Sequence, residues 1–342
     1  MLPIEVRPFQ VTAPALDRLG RPMYDLRVSV VDTCNFRCPY CMPEELVDAA
    51  PTPRVERLDF EQIERVVRAS VELGVRKVRL TGGEPLLRKR LPDLVTRLAA
   101  IEGIEDLALT TNGVLLPAHA QTLADAGLSR VTLSLDAVDE AVFARMSGGR
   151  GNVSQVLAGL EAAERAGLGP IKINAVVIRG YNDHVVLPLL EHFRGTPHIV
   201  RLIEYMDVGN VNGWNRGNVL STAELLSAVQ SRWPLNPLRP AIRGEVAKRY
   251  AYADGQGEIG FISSISQPFC GDCSRARLST DGRLFTCLFA KDGIDLKPAL
   301  DGNDEHLLSE LSGVWSVRED RYSEIRSTLG NDRKVEMYEI GG

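Results

Sequence analysis

The sequence has no apolar run long enough to span a bilayer, so no membrane helix is expected. Its first residues, Met-Leu-Pro-Ile-Glu-Val-Arg, lack a basic flank followed by an apolar core, which predicts no secretory signal and a cytoplasmic protein. Positive charge is not in excess: 40 lysines and arginines stand against 45 aspartates and glutamates, a net charge of −5. That balance argues against a broad nucleic-acid surface, but leaves room for a local arginine cluster around one anionic ligand. Histidine is scarce: there are five (119, 184, 192, 198, 306), none in a His-x-x-x-His pair, and they read as surface or core residues. With six cysteines in 342 residues, the chain is too poor in cysteine for an extracellular disulfide framework.

Those six cysteines form two sets of three, Cys34, Cys38, Cys41 and Cys270, Cys273, Cys287, with none between. Two such sets look like two metal sites. In the first, x3 then x2 spacing in a short loop can place three thiolates around one corner of an iron–sulfur cube, for which thiolates are the usual ligands. Three would leave one iron open, as in a catalytic rather than a structural site. On spacing alone, zinc with a fourth ligand from elsewhere, or a dithiol at Cys38-Pro-Tyr-Cys41, also stays open. For the second set the bland alternative is structural zinc, but no histidine lies within it and His306 is the nearest.

Residues 1–20 carry no clear pattern and read as a lead-in. From residue 21 to 240, strands and helices alternate. Strands are predicted at 26–31, 77–81, 106–110, 130–135, 171–178 and 198–205. Helices are predicted from Asp59, an N-cap, and near 91–101, 117–126, 138–146, 153–166, 184–193 and 222–231. Six successive βα units imply parallel strands. They are too few for a full eight-stranded barrel, so the fold class is α/β with a partial (β/α)6 TIM-type barrel; a doubly wound flat sheet is the alternative. Active sites lie at the carboxyl ends of such strands, where the first cysteine loop and Gly82-Gly83-Glu84-Pro85 fall. The remainder, 241–342, reads as a mainly β and helical extension. It has a hairpin over 248–263, short strands around Thr280-Asp281-Gly282, a helical tail and a Gly341-Gly342 end.

Cys-x3-Cys-x2-Cys after a first strand, with Tyr40 before the last cysteine and Gly-Gly-Glu-Pro after the second strand, resembles the radical S-adenosylmethionine (SAM) superfamily. Leu26 to Pro43, the run Arg201-Leu-Ile-Glu-Tyr-Met206-Asp, and Cys-x2-Cys-x13-Cys with a Gly-Gly end are together similar to the GTP 3′,8-cyclase family of molybdenum cofactor biosynthesis. The resemblance covers about residues 22–342. It implies that Cys34, Cys38 and Cys41 hold a [4Fe–4S] cluster with SAM, which Tyr40, Gly83, Ser134 and Met206 contact. It implies that Cys270, Cys273 and Cys287 hold a second [4Fe–4S] cluster that binds the guanine of GTP. Arg27, Arg79, Thr110, Lys172, Arg275, Ala276 and Arg277 match GTP-contacting positions, with Arg201 a further phosphate candidate. Arg27, Arg201, Gly341 and Gly342 are the expected catalytic group. Implied partners are GTP, a downstream cyclic pyranopterin monophosphate synthase and an electron donor of unknown identity. Neither nucleic acid nor membrane is expected, and the chain is read as a monomer or homodimer.

The residues support an anionic ligand independently. Arg27, Arg79, Lys172 and Arg201 fall in or at the ends of predicted strands, where alternation permits them to point into a barrel. An unpaired cation there is costly, and a triphosphate would relieve it. Two other classes compete: a peptide-modifying radical SAM maturase, usually richer in cysteine, and a zinc-stabilised scaffold without chemistry. Trp214 and Asn215 sit in a loop expected to cover the site or to lie on the surface.

Overall fold

A computed structural model describes residues 14–44, 56–326 and 334–341. Six βα units open the fold: β1 (Asp25–Ser29), α1 (Phe60–Glu72), β2 (Lys77–Thr81), α2 (Leu91–Ala99), β3 (Asp106–Thr111), α3 (Leu116–Asp125), β4 (Arg130–Ser134), α4 (Glu140–Ser147), α5 (Val153–Arg165), β5 (Lys172–Val177), α6 (Val186–Phe193), β6 (Ile199–Glu204) and α7 (Thr222–Gln230). Several starts are written locally. Asp59 and Gln62 form a reciprocal capping box on α1, as do Asn152 and Gln155 on α5 and Ser221 and Glu224 on α7.

After α7 come β7 (Leu235–Pro237), β8 (Lys248–Tyr252), β9 (Glu258–Ile262), β10 (Arg275–Leu278), β11 (Arg283–Phe285) and β12 (Ile294–Asp295). The helices α8 (Lys297–Leu300), α9 (Asp304–Ser316), α10 (Tyr322–Ile325) and α11 (Met337–Ile340) follow. All twelve strands join one sheet, in the order β12-β11-β10-β1-β2-β3-β4-β5-β6-β9-β8-β7. The six expected parallel strands are therefore flanked by two more: β10 pairs parallel with β1, and β9 parallel with β6. Among the described residues β9 and β10 do not pair, so the barrel stays open. The predicted hairpin is β8–β9, and the strands around Thr280-Asp281-Gly282 are β10–β11, both antiparallel.

The strands largely alternate. Leu26 and Val28, Val78 and Leu80, Leu107 and Leu109, Val131 and Leu133, Ile173 and Ala175, Val200 and Leu202, Ile259 and Phe261, and Ala276 and Leu278 are buried in one apolar core. Most intervening positions are polar or charged and line a central cavity: Asp25, Arg27, Lys77, Arg79, Arg130, Ser134, Lys172, Asn174, Arg201, Glu258, Arg275 and Arg277, with Val176, Ile199, Ile203, Gly260 and Ile262 the apolar exceptions in the lining. A period of two thus puts folding on one face of the sheet and ligand chemistry on the other.

Part of the lead-in is packed: Asp17 is buried beside Arg21, and Leu16 bridges Pro22. No helix among the described residues is long and apolar enough to cross a membrane.

Because β9 completes the parallel run, the strands after residue 241 should melt with the βα units. Phe261→Ala, at a fully buried site, should lower stability by about 3–5 kcal/mol and shift one cooperative thermal transition. A second transition moving alone in calorimetry would refute this.

Candidate active site

The inner faces of the strands enclose a cavity of about 600 Å³. The two cysteine sets sit at its opposite ends. Cys34, Cys38 and Cys41 follow the carboxyl end of β1, whereas Cys270 and Cys273 precede the amino end of β10, which runs parallel to β1 with Asp25 opposite Arg275. Cys287 follows β11 and returns to the same amino end. All six are free thiols lining the one cavity. A five-residue strand separates the two ends, about 16 Å at about 3.3 Å per residue.

Between them lies a set of buried cations. Arg27, Arg79 and Arg201 each have a buried Nε without a partner, and Arg201 Nη2 and Arg130 Nη1 are likewise unmatched. Arg79 Nη1 donates to Thr110 Oγ1 (3.2 Å) and Thr132 Oγ1 (3.0 Å), while Arg130 is held by a forked pair of bonds to Asp106 (2.8 and 2.6 Å). Burial, then mutual repulsion, weakens their hold on protons. Arg201 is brought down to about 9 by burial and by Arg79 and Arg130. Lys172 falls to about 7 by burial and by Arg201, Arg130 and Arg79. Arg277 falls to about 10 by burial and by Arg275, and Arg27 falls well below its usual value by burial and by Arg277. Such a set calls for an anion.

At the carboxyl end, Gly-Gly-Glu-Pro braces the first cysteine loop. Gly83 N donates to Val31 O (2.7 Å) and Glu84 N to Thr33 O (2.8 Å). A Cβ on Gly82 would strike the Val31 carbonyl, and one on Gly83 the Thr33 carbonyl and Cys34 amide. The need for glycine here is thus the approach of two backbones, a tighter demand than room for a ligand. Glu84 is fully buried and accepts from Thr111 Oγ1 (2.7 Å), Asn112 N (2.8 Å) and Leu86 N (3.1 Å). Tyr40 donates its hydroxyl to Asp136 Oδ2 (2.9 Å), whose other oxygen accepts from Val176 N (2.8 Å). Burial pushes both Glu84 and Asp136 up to about 7.

The tail ends toward the carboxyl end of the sheet, where Thr81 closes β2 opposite Ser29. Gly341 packs on Thr81 and its carbonyl accepts from Arg277 Nη1. A latch holds the approach: Asp207 accepts from Tyr322 Oη (2.7 Å), Arg326 Nε (2.9 Å) and Lys334 Nζ (2.9 Å).

Tyr40, Gly83, Ser134 and Met206 line the cavity, as do Arg27, Arg79, Thr110, Lys172, Arg201, Arg275 and Arg277. Ala276 does not: it sits on the opposite face of β10 in the apolar core, so only its backbone belongs near the site. Gly342 lies outside the described residues. Trp214 does not line the cavity either. It packs on Tyr205 and donates Nε1 to the Tyr205 carbonyl (3.0 Å). Two residues beyond those the motifs single out belong to the site, Arg130 and Asn174, the latter with its Oδ1 buried and unmatched; each stands at a period-two position of a predicted strand.

The donor sets fit multi-iron groups better than single ions. Among the described residues no three His, Cys, Asp or Glu side chains gather as one ion would require, whereas a cube offers each thiolate its own iron. Burial raises the Cys34 thiol to about 11 and pushes Cys38 and Cys41 well above the usual thiol value, a cost that coordination would remove by deprotonating them. Burial raises Cys287 to about 12. Burial also acts to raise Cys273, but the guanidiniums of Arg275 and Arg318 bring it down to about 6.

Residues 28–193 match the Radical SAM superfamily and residues 198–324 match Molybdenum Cofactor Synthesis C. The protein is of the radical SAM class, with a second module of cofactor-synthesis type. It is similar to a GTP 3′,8-cyclase of Xanthomonas campestris pv. campestris, 58% identical over 332 residues, covering 96% of this chain and 98% of that one. It is also similar to the Acidothermus cellulolyticus GTP 3′,8-cyclase, at 49% identity covering 97% and 100%, and to that of Staphylococcus aureus, at 43% covering 95% and 98%. The chain belongs to the GTP 3′,8-cyclase family. Among solved structures it resembles Streptococcus suis SuiB bound to S-adenosylmethionine, with a TM-score of 0.63 at 14% identity over 92% of this chain and 71% of that one. It likewise resembles anSMEcpe with bound AdoMet, with a TM-score of 0.54 at 18% identity over 84% of each. These show the fold.

If the cations repel one another without ligand, removing one should help. Arg201→Met keeps the packing against Gly260 and should raise the melting temperature of the ligand-free protein, by about 1 kcal/mol in stability. An unchanged or lower melting temperature would show that the cations are already balanced.

Proposed function

We propose that this protein converts GTP to (8S)-3′,8-cyclo-7,8-dihydroguanosine 5′-triphosphate, the first step of molybdenum cofactor biosynthesis. The observation that carries the reading is the one cavity with cysteine triplets at both ends and unmatched guanidiniums between. The triplet Cys34, Cys38, Cys41 would hold the [4Fe–4S] cluster that works with SAM, and Cys270, Cys273, Cys287 the second. When present, the first cluster would supply one-electron reduction of bound SAM, the electron coming from an external donor, with cleavage to methionine and a 5′-deoxyadenosyl group able to take the ribose C3′ hydrogen.

The chain's own residues do the positioning. Arg79, Lys172 and Arg201, joined by Arg130, take the triphosphate, their forks and charge matching phosphate oxygens. Arg27, Arg275 and Arg277 hold the nucleoside near the second triplet. Tyr40, Gly83, Ser134 and Met206 orient SAM at the carboxyl end. Ring closure needs C3′ and C8 held together, so fixing both ends of the nucleotide lowers the entropic part of the barrier. Gly341, drawn in by Arg277, closes that side against water and stray hydrogen donors, with Gly342 next in the chain. The product would pass to a cyclic pyranopterin monophosphate synthase.

GTP deuterated at ribose C3′, incubated anaerobically with reconstituted, reduced protein and SAM, should give deuterated 5′-deoxyadenosine by mass spectrometry. Unlabelled 5′-deoxyadenosine formed equally without GTP would remove GTP as substrate.

Lys172 supplies a second test. With its pKa near 7 in the ligand-free protein it is mostly neutral at pH 8, and a bound triphosphate favours its charged form. GTP binding at pH 8 should therefore take up about one proton, read by calorimetry in buffers of different ionisation heat. Lys172→Met should abolish the uptake; uptake undiminished in that variant would place the proton elsewhere.

A further inference from the structure

The two cysteine sets are held in different ways. The first loop is fixed by backbone packing against Gly82 and Gly83. Behind the second lies a buried ionic network outside the reacting residues. Asp17 Oδ2 accepts from Arg21 Nε (2.6 Å) and from Arg318 Nη1 (3.1 Å), and its Oδ1 accepts from the amides of Leu19 and Arg21 (2.9 Å each). The side chains of Asp17 and Arg21 are 0% exposed and that of Arg318 is 1% exposed. Trp315 lies under the Arg318 guanidinium at 4.5 Å and donates Nε1 to the Arg21 carbonyl (3.1 Å), so the end of α9 locks the group in place.

Arg21 through its Nη1, and Arg318 through its Nε and the Nη1 it shares with Asp17, reach the cysteine-bearing backbone. Arg21 Nη1 donates to Cys270 O (2.7 Å) and to Asp320 O (2.8 Å). Arg318 Nη1 donates to Cys273 O (2.7 Å), and its Nε to Thr286 O (3.1 Å), the carbonyl just before Cys287. Every cysteine of the second set thus has its own or its preceding carbonyl tied to one of two arginines, and both arginines are tied to one carboxylate. A buried ion triple contributes little net stability over a well-packed apolar substitute. Groups that orient metal ligands from behind, however, commonly change metal affinity by about 10–100-fold.

We propose that Asp17, Arg21 and Arg318 are positioning residues that set the Cys270, Cys273 and Cys287 loops in register to receive the second cluster, with no part in holding the first. This rests on the reading of that triplet as a cluster site.

The test compares iron content and electron paramagnetic resonance after anaerobic reconstitution. Wild type should hold about eight irons per chain. Asp17→Asn, which keeps the shape and removes the charge, should hold about four, and its remaining signal should still change on adding SAM. In a Cys34→Ala/Cys38→Ala/Cys41→Ala background, which reads the second site alone, Asp17→Asn should take iron from about four to near none. Arg318→Lys, which keeps the charge and loses the fork, should fall between. Leu123→Ala, a core change that destabilises without touching either loop, should keep the full complement, separating positioning from general weakening. Full iron with an unaltered second-cluster signal in Asp17→Asn, or equal loss from both sites, would overturn the proposal. If Asp17→Asn fails to fold, Arg318→Lys decides, and full iron there overturns it. Wild type holding only about four irons would instead sink the cluster reading of the second triplet.

Discussion

A guanidinium shut away from water with a nitrogen unmatched is expensive, on the order of 1–3 kcal/mol for each lost bond, and here Arg27, Arg79, Arg130 and Arg201 carry that burden around one space. Like charges across the cavity keep it from collapsing into an ordinary core. The strands can afford this because their other faces are predominantly apolar and packed in one core. Hydrophobic burial outside the barrel is what lets the interior stay polar, hollow and poised for a charged ligand.

The two ends of that cavity answer different demands. At the carboxyl end the cysteine loop, Gly-Gly-Glu-Pro, Thr111 and Asn112 interlock through short backbone contacts, leaving little freedom in the loop's path. At the amino end three segments distant in sequence must meet, and no single turn can impose their relative placement. Charged side chains with long reach do it there. Between the two, the Asp207 latch and the Arg277–Gly341 contact bring the tail across the same opening.

Much of this was legible beforehand, for physical reasons that can be named. The span 77–81 and the Asp59 cap are local: alternation and a side-chain-to-amide bond need only neighbouring residues. The inward arginines followed from the same alternation, and Arg130 and Asn174 would have followed from applying it to every strand. Ala276 shows the rule working against a motif, since the residue between two inward arginines must face the core. What could not be read is what distance in sequence hides. The pairing of β1 with β10 joins residues about 250 apart, and Asp17 and Arg318 look like ordinary surface charges until the fold brings them together.

That long pairing bears on how the protein is made. β1 gains its outer neighbour only when β10 exists, and β6 waits likewise for β9. At about 5–20 residues per second, a ribosome needs roughly 12–50 s between Ser29 and Arg275. Until β10 is made the β1 margin of the nascent half-barrel stays unpaired, and β6 stays so for the shorter stretch before β9, each the kind of template on which neighbouring chains add and aggregate. Slower translation or crowded polysomes would lengthen the exposure, so the yield of correctly assembled protein should depend on chaperones that shield strand edges as well as on the stability of the finished fold.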